Sequence, residues 1–408
     1  MTLNDFSGTP VYAYRGVMLD VARHFFPAAE IFRLLDVMGR LHLNKFHWHF
    51  ADDQGFRIDL PQFPRLKAIA SKRAYTGIGG HAGSIGNDGI PHSGCYSEED
   101  VRAVIAYAAE RGIEVIPELD MPGHLSALIA AYPELSCSGE AITVPGEFGI
   151  LHNTLCIGND DALHFMEKIL HALCDLFTPK TFHLGFDEVK LDHLKTCPKC
   201  RAKMAALNYS EIAGLKTHAK NFFRDSLKQR GIDVIIYNDG MDAVDPEVIC
   251  YYWKGRDGCA ETTVKWLNAG QRVIMAPQSH VYMDYPYIWT PLKKTYAFNP
   301  VMRGVTKPEN IIGVEAPLWT EYVATHEKLA FNVYYRLYAL ARIGWDGSIH
   351  EPYRDFIRAL HKHEADYFGE TLAISEHVLN PNFFTRHALS RTCMYTDMDA
   401  EFKHYRKR

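Results

Sequence analysis

No run of apolar residues in this 408-residue chain approaches the roughly 18 that a membrane-crossing helix needs. Nor is there a basic excess. The chain has 44 lysines and arginines against 49 aspartates and glutamates, and its formal net charge of -5 argues against nucleic acid or an anionic membrane as partner. Residues Met1 to Pro10 lack both the basic segment and the apolar core of a signal peptide. On that reading the protein is cytoplasmic; a secreted or periplasmic one would require a leader already removed. The nucleotide-binding fingerprints G-x-G-x-x-G and G-x-x-x-x-G-K-[ST] are missing too, because the seven glycines from Gly77 to Gly94 lie in a loop without strand-to-helix context. There is no internal repeat and no low-complexity tract. What remains is a globular composition, 47% hydrophobic and 23% charged, in a chain long enough for one large domain or two medium ones.

Nine cysteines, at 95, 137, 156, 174, 197, 200, 250, 259 and 393, form an odd and scattered set. In a chain of this length they read as buried or free thiols rather than a disulfide framework. Cys197-Pro-Lys-Cys200 stands apart: the pair is open to zinc binding, with His193 or Asp192 completing a site, to a local disulfide, or to a plain solvated loop.

Apolar runs and helical periodicities alternate along the chain. Residues 14–21 read as a buried strand, and Pro27 starts a helix with Ile31, Leu34, Leu35 and Met38 on one face. Lys45–Asp52 is a second strand. Ser97-Glu-Glu-Asp100 is a capping-box signal before a helix carrying Val101, Val104, Ile105 and Ala108, and the third strand runs from Gly112 to Asp120. After a long loop from Pro133 to about Asn159 come a helix over 160–177 and a strand in the stretch 181–189. A helix over 210–229 then leads to strands at 234–238 and 248–253. A helix over 262–269, a strand at 273–276, an aromatic loop from Tyr282 to Phe298, an eighth strand at 313–319 and a long helix complete the pattern.

Eight strands alternating with helices predict parallel pairing with crossover helices, in a closed (β/α)8 TIM barrel with inserted loops, a doubly wound sheet being the alternative. The expected organisation is a barrel over residues 1–350 and a helical C-terminal tail over 351–408, ending in the basic His404–Arg408.

Catalytic groups in such barrels gather at the C-terminal strand ends. Those ends carry Arg23, Asp52 and Asp53, Asp120 and His124, Asp187 and Glu188, Trp253, Tyr282 and Asp284, and Trp319 and Glu321. The centrepiece is Thr181-Phe-His-Leu-Gly-Phe-Asp187-Glu188-Val189. Adjacent acids at a strand end repel each other. In a partly dry pocket their pKa values separate, one remaining ionised while the other holds its proton. On these nine residues alone, an acid in a loop beside an acid capping the next helix is an equally good reading. Carboxylates, an arginine and tryptophans converging on one face make up the equipment of a sugar site, since aromatic faces stack on pyranose C–H faces and charged groups bond hydroxyls.

The motifs together resemble those of the β-N-acetylhexosaminidases of glycoside hydrolase family 20. The family pattern H-x-G-x-D-E matches His183-Leu-Gly-Phe-Asp187-Glu188. The segments Arg15–His24, Phe46–Phe56 and Glu118-Leu-Asp120-Met-Pro-Gly-His124 resemble its earlier strand motifs, and Tyr282-Met-Asp284 and Trp319-Thr-Glu321 its later ones. The match covers about residues 12–345. The resemblance implies exo-acting, retaining removal of terminal N-acetyl-β-D-glucosamine or -galactosamine from oligosaccharides or glycoconjugates, with no cofactor and no catalytic metal. It also implies substrate assistance, the 2-acetamido oxygen acting as nucleophile through an oxazolinium intermediate. Carried over residue by residue, Glu188 is the general acid and then base, and Asp187 holds the acetamido N–H. Tyr282 bonds the acetamido carbonyl, and Asp52 with His124 orients Glu188. Arg23, Asp284 and Glu321 grip hydroxyls, Asp120 supports the site, Trp253 and Trp319 wall the pocket, and His183 and Tyr237 complete the substrate-binding set.

Two features depart from the pattern. Tyr237 stands where the family carries tryptophan, which puts the pocket wall there in doubt. The small α+β domain that often precedes the barrel has no counterpart, so the tail or a partner subunit in a homo-oligomer is expected to cover the first strands. Two other readings remain open on the residues: a metal-dependent amidohydrolase built on His47 and His49, and a non-catalytic sugar-binding barrel.

Overall fold

The computed structural model describes residues 6–80, 83–372, 374 and 376–379. Eight strands close into a barrel: β1 (Tyr14–Asp20), β2 (Lys45–His49), β3 (Glu114–Met121), β4 (Thr181–Gly185), β5 (Asp233–Tyr237), β6 (Val248–Tyr252), β7 (Val273–Met275) and β8 (Ile311–Leu318). Every neighbouring pair is parallel, and β8 returns to pair with β1 from Tyr14↔Gly313 to Leu19↔Leu318. The expected (β/α)8 barrel is the observed one.

The helices form where sequence chemistry places them. In α1 (Ala28–Arg40) the residues Ile31, Leu34, Leu35, Val37 and Met38 are buried. The Ser97 hydroxyl accepts the Asp100 N–H while Asp100 accepts the Ser97 N–H, so α2 (Glu98–Ala109) starts on a complete capping box. Asn159 caps α3 (Asp160–Phe177), followed by α4 (Ile212–Gln229) and α5 (Cys259–Asn268). Thr325 caps α6 (His326–Asp346), which ends at Gly347 in the left-handed region (φ 81°). In α7 (Tyr353–Phe368), Phe356 packs on Tyr338 (5.3 Å) and Phe368 stacks on Tyr334 (5.3 Å), joining that part of the tail to α6. Residues 380–408, including Cys393 and the basic end, lie outside the described residues. Among the described residues, no helix is long and apolar enough to cross a membrane.

The structure corrects several boundaries. The second barrel strand stops at His49. Beyond Phe50, Ala51–Asp52 folds onto Gly55–Phe56 as a two-residue antiparallel ladder, which sets Asp52 in a hairpin above the barrel rim. The third strand begins at Glu114 rather than Gly112, because Gly112 has φ 69° and closes the preceding helical turn. Within the glycine-rich connection, Gly77–Gly80 pairs with Gly83–Asn87 and Lys72–Arg73 with His92–Ser93.

The inside of the barrel is unusual for this architecture, in which branched apolar side chains normally fill the middle layers. Here His47, Glu118, His183, Glu315 and Tyr251 are all fully or almost fully buried and lie within hydrogen-bond or ion-pair distance of one another. Alternation along β2 sends His47 and His49 inward while Phe46 and Trp48 face the helices.

Candidate active site

At the C-terminal rim the strand ends line a single cavity of about 160 Å³, bounded by Arg23, Asp52, Asp120, His124, Asp187, Glu188, Trp253, Gln278, Tyr282, Asp284, Tyr285, Trp319 and Glu321. Eleven residues expected at the site from sequence are in that set. His183 and Tyr237 are not: they are 0% and 1% exposed and belong to the barrel interior. The reason is strand alternation. His183 lies two residues before the strand's end and points into the layer where its ring stacks on His47 (4.7 Å) and meets Tyr237 (4.3 Å). Its Nδ1 accepts the Gly185 N–H (3.0 Å), which steadies the chain just before the two acids.

The backbone around the acids is held in sparsely populated conformations. Gly185, Phe186 and Glu188 have φ of 71°, 72° and 49°, and His124 has 51°. Gly185 has no substitute: a Cβ there would lie 1.7 Å from Asp120 Oδ1. The same Oδ1 accepts the Phe186 N–H (3.1 Å), so Asp120 on β3 fixes the turn that presents Asp187 and Glu188. Non-glycine residues with positive φ cluster at functional sites because the surrounding structure must over-determine them.

A chain of alternating charges runs from the barrel interior to the pocket. Glu118 bonds His49 Nδ1; His49 Nε2 sits 2.9 Å from Asp52 Oδ2; Asp52 Oδ1 is 3.3 Å from His124 Nδ1; and His124 Nε2 is 3.8 Å from Glu188 Oε2. Arg23 closes on the same hub, its Nη2 2.7 Å from Asp52 Oδ2, its Nε donating to Gln54 (3.0 Å) and its guanidinium lying 5.0 Å over the Trp319 ring. Burial opposes every one of these charges, and the partners decide the outcome. Burial pushes His49 down, but Glu118 and Asp52 outweigh it and hold the imidazole at about 10. His47 is held at about 9 in the same way by Glu315 and Glu118. His124 is driven well above the usual range, again against burial, chiefly by Asp52. Asp52 is held far below the carboxylate range, where Arg23 and His124 overcome its desolvation.

The two candidate acids are pushed the other way. Desolvation raises Glu188, with Asp239 adding to it and His124 opposing. Desolvation and the carboxyl group of Asp120 raise Asp187 well above normal, and Asp120 is itself raised by burial. The like-charge partner of Asp187 is therefore Asp120 more than the adjacent Glu188. Among the described residues, nothing hydrogen-bonds the buried Asp187 Oδ1 or Asp284 Oδ1. Trp253, Tyr282 and Trp319 wall the pocket, Trp253 stacked with Tyr282 (6.3 Å, 24°).

Among the described residues, one group of metal-ligating residue types lies in the barrel interior, His47, Glu118 and His183, and two lie at the rim: Asp52, Asp53 and His124; Asp120, His124 and Asp187. Each ring nitrogen of His47 and His49 already faces a carboxylate at ion-pair distance, which is the arrangement of an imidazolium rather than a metal ligand.

Sequence reading missed Asp239. Its Oδ2 accepts the Glu188 N–H (3.4 Å) and its Oδ1 the Trp253 indole N–H (2.9 Å), tying the β4 turn to the pocket wall. Asp239 follows β5 in Tyr237-Asn-Asp-Gly, so the strand-end rule that found the other acids would have found it. Gln278 and Tyr285, bonded to each other at the pocket edge, carry no comparable signal. Arg336 holds the aromatic loop through the carbonyls of Tyr285 (2.7 Å), Thr290 (3.0 Å) and Met283. Trp289, on that loop, is 52% exposed, meets Tyr285 edge-on (5.8 Å) and stays outside the cavity lining.

A parallel (β/α)8 barrel whose rim gathers acids and aromatic walls around one small cavity is a barrel of the glycoside-hydrolase kind. The chain belongs to glycosyl hydrolase family 20, whose catalytic-domain model matches residues 12–348. It is 34% identical over 371 residues to a beta-hexosaminidase of Akkermansia muciniphila, covering 87% of this chain and 72% of that one. A beta-hexosaminidase of Porphyromonas gingivalis is 31% identical over 366 residues, 86% of this chain and 45% of that one, so the present chain spans less than half of that relative. A crystal structure of a β-N-acetylhexosaminidase superposes with a TM-score of 0.81 at 30% identity, covering 90% of this chain and 79% of the other.

Proposed function

We propose that the chain is an exo-acting, retaining β-N-acetylhexosaminidase that removes terminal N-acetyl-β-D-glucosamine or -galactosamine from oligosaccharides and glycoconjugates by substrate-assisted catalysis. The observation that carries this reading is the buried, unpartnered Oδ1 of Asp187 beside Glu188 in a cavity on the scale of one sugar residue, walled by Trp253, Tyr282 and Trp319. A buried acceptor without a donor costs free energy until a ligand supplies one, and an acetamido N–H is such a donor. With that N–H on Asp187 and Tyr282 on the carbonyl, the acetamido oxygen is aimed at the anomeric carbon. Its attack forms the oxazolinium ring while the glycosidic oxygen leaves with the proton of Glu188. Water, deprotonated by the resulting carboxylate, then opens the ring with net retention. Tethering the nucleophile to the substrate gives it a large effective molarity and removes the need for a third acid. Arg23, Asp284 and Glu321 are the hydroxyl-binding groups, Asp284 Oδ1 being the second orphaned acceptor of the pocket.

A panel of aryl β-hexosaminides with and without the 2-acetamido group tests the proposal. The N-acetyl substrates are expected to turn over at least about 10³-fold faster than the free amine. Comparable rates would overturn substrate assistance, and binding of N-acetylhexosamine without turnover would favour a sugar-binding barrel.

The pH profile tests the arm behind Glu188. A general acid works while protonated, so kcat/KM falls as pH rises through its pKa. His124 lowers that pKa against the burial that raises it. His124→Asn is therefore expected to move the alkaline limb of kcat/KM upward by about one pH unit, while lowering the plateau about 10- to 100-fold. A limb that stays put or moves down would separate His124 from the acid.

A further inference from the structure

We propose that Cys137, Cys156, Cys197 and Cys200 form a closed four-thiolate site for one structural zinc ion, stapling together the two loops that carry His124 and Glu188. The Sγ atom of Cys156 lies 3.8 Å from that of Cys197 and 3.9 Å from that of Cys200, and Cys137 is 3.9 Å from Cys200. All four Sγ atoms fall within 4.8 Å of one another. Four sulfurs at about 2.3 Å from a tetrahedral zinc are separated by about 3.8 Å, which is the spacing of these three pairs. A disulfide brings its sulfurs to about 2.05 Å, and these four cysteines are free.

The backbone brings them together from three places in the chain. Ser136 and Leu155 form an antiparallel bridge, and the Cys156 N–H donates to the Leu135 carbonyl (2.8 Å), setting Cys137 and Cys156 side by side. Cys197 and Cys200 flank the first turn of the helix Pro198–Ala206, where the Cys197 carbonyl accepts the Arg201 N–H (3.0 Å). The chain leaving Cys156 crosses that turn so closely that a Cβ on Gly158 would lie 2.3 Å from Cys200 Cα. Cys156 and Cys200 are fully buried and Cys197 is 5% exposed. The partners expected from sequence for the C-x-x-C pair do not complete the site: His193 Nε2 is bonded to Thr154 (2.6 Å), and Asp192 pairs with Lys195 (3.0 Å). Cysteines distant in sequence complete it instead.

The site lies outside the cavity lining, and four protein thiolates leave a tetrahedral ion no open position, so the metal is structural. Its reach is through the loops. Between Cys137 and Cys156, Glu147 O accepts from Gln54, the partner of Arg23 (2.7 Å); Asn153 donates to Ser126 (3.1 Å); and the Leu155 N–H bonds the Pro122 carbonyl (2.9 Å), two residues before His124. The Thr154–His193 bond ties this loop to the segment running from Glu188 to Cys197.

Metal analysis of the purified full-length chain tests the site independently of activity. One zinc per chain is expected, released by a mercurial thiol reagent. Substitution with Co(II) is expected to give thiolate-to-cobalt charge transfer with the d–d bands of a tetrahedral four-sulfur site. Zinc release is expected to lower the melting temperature by about 5 °C or more. Cys137→Ser and Cys197→Ser are expected to lose stoichiometric zinc, while Cys259→Ser, outside the cluster, keeps it. Wild-type protein without zinc and unable to take up Zn(II) or Co(II), or with these cysteines paired as disulfides by mass spectrometry, would overturn the proposal. One iron per chain in place of zinc would overturn the identity of the ion.

Discussion

Glu188→Gln is expected to lower kcat/KM by about 10³- to 10⁴-fold for substrates whose leaving group needs a proton, such as alkyl glycosides or a disaccharide, and by only about tenfold or less for a nitrophenyl glycoside. The asymmetry follows from what the substitution removes. Glutamine keeps the shape of glutamate and loses only the transferable proton, and a nitrophenolate departs without one. The turn that presents the side chain does not depend on that proton. Glu188 is held at φ 49° by the Asp239 carboxylate on its N–H and by Asp120 on the Phe186 N–H, and both contacts survive the change. Burial raises the pKa of Glu188, the direction that favours the protonated form a donor needs. Plotting log kcat/KM against leaving-group pKa for wild type and variant checks the expectation, the variant line being the steeper. Parallel lines would mean that Glu188 donates no proton.

What could be read from the chain alone differs by the range of the interaction. The eight strands and the capped helices were legible because hydrophobic periodicity, the Ser97–Asp100 box and Pro27 are local signals. The strand-end acids were legible because barrel topology sends every C-terminal end to one rim, whatever the loops do. Asp239 was readable by that same rule. The direction of a side chain two residues before the rim was not. His183 shares its H-x-G-x-D-E segment with the pocket acids, yet alternation turns it into the interior, as it does Tyr237 at the end of β5. His47 and His49 look like metal ligands in sequence because Glu118 and Glu315, which occupy their nitrogens, come from other strands. The four-cysteine cluster was invisible for the same reason: two of its members lie far upstream of the C-x-x-C pair, and only tertiary folding brings them within 4 Å of it.

Asp187→Asn is expected to lower kcat about 10²- to 10³-fold on every N-acetyl substrate regardless of leaving group, the cost of removing one preorganised charge from the developing oxazolinium. The amide turns one of the two acceptor oxygens that the acetamido N–H would meet into a donor, and it cannot balance positive charge on the ring. Stability is expected to move the other way. Burial and Asp120 together raise the pKa of Asp187, and burial raises that of Asp120, so the two neighbouring carboxyl groups disfavour each other's ionised form. Asparagine relieves that repulsion at neutral pH, and the melting temperature of the variant is expected to equal or exceed that of wild type. The opposed signs separate a functional from a structural role: a residue that merely held the turn would lose activity and stability together. An unimpaired variant would remove Asp187 from the mechanism. A variant that is slow and also less stable would make it a prop for the Phe186–Glu188 turn. In a site arranged for substrate assistance, the substrate's N–H and developing positive charge stabilise the anion that Asp120 opposes, so the price in folding free energy is returned only when an acetamido group is bound.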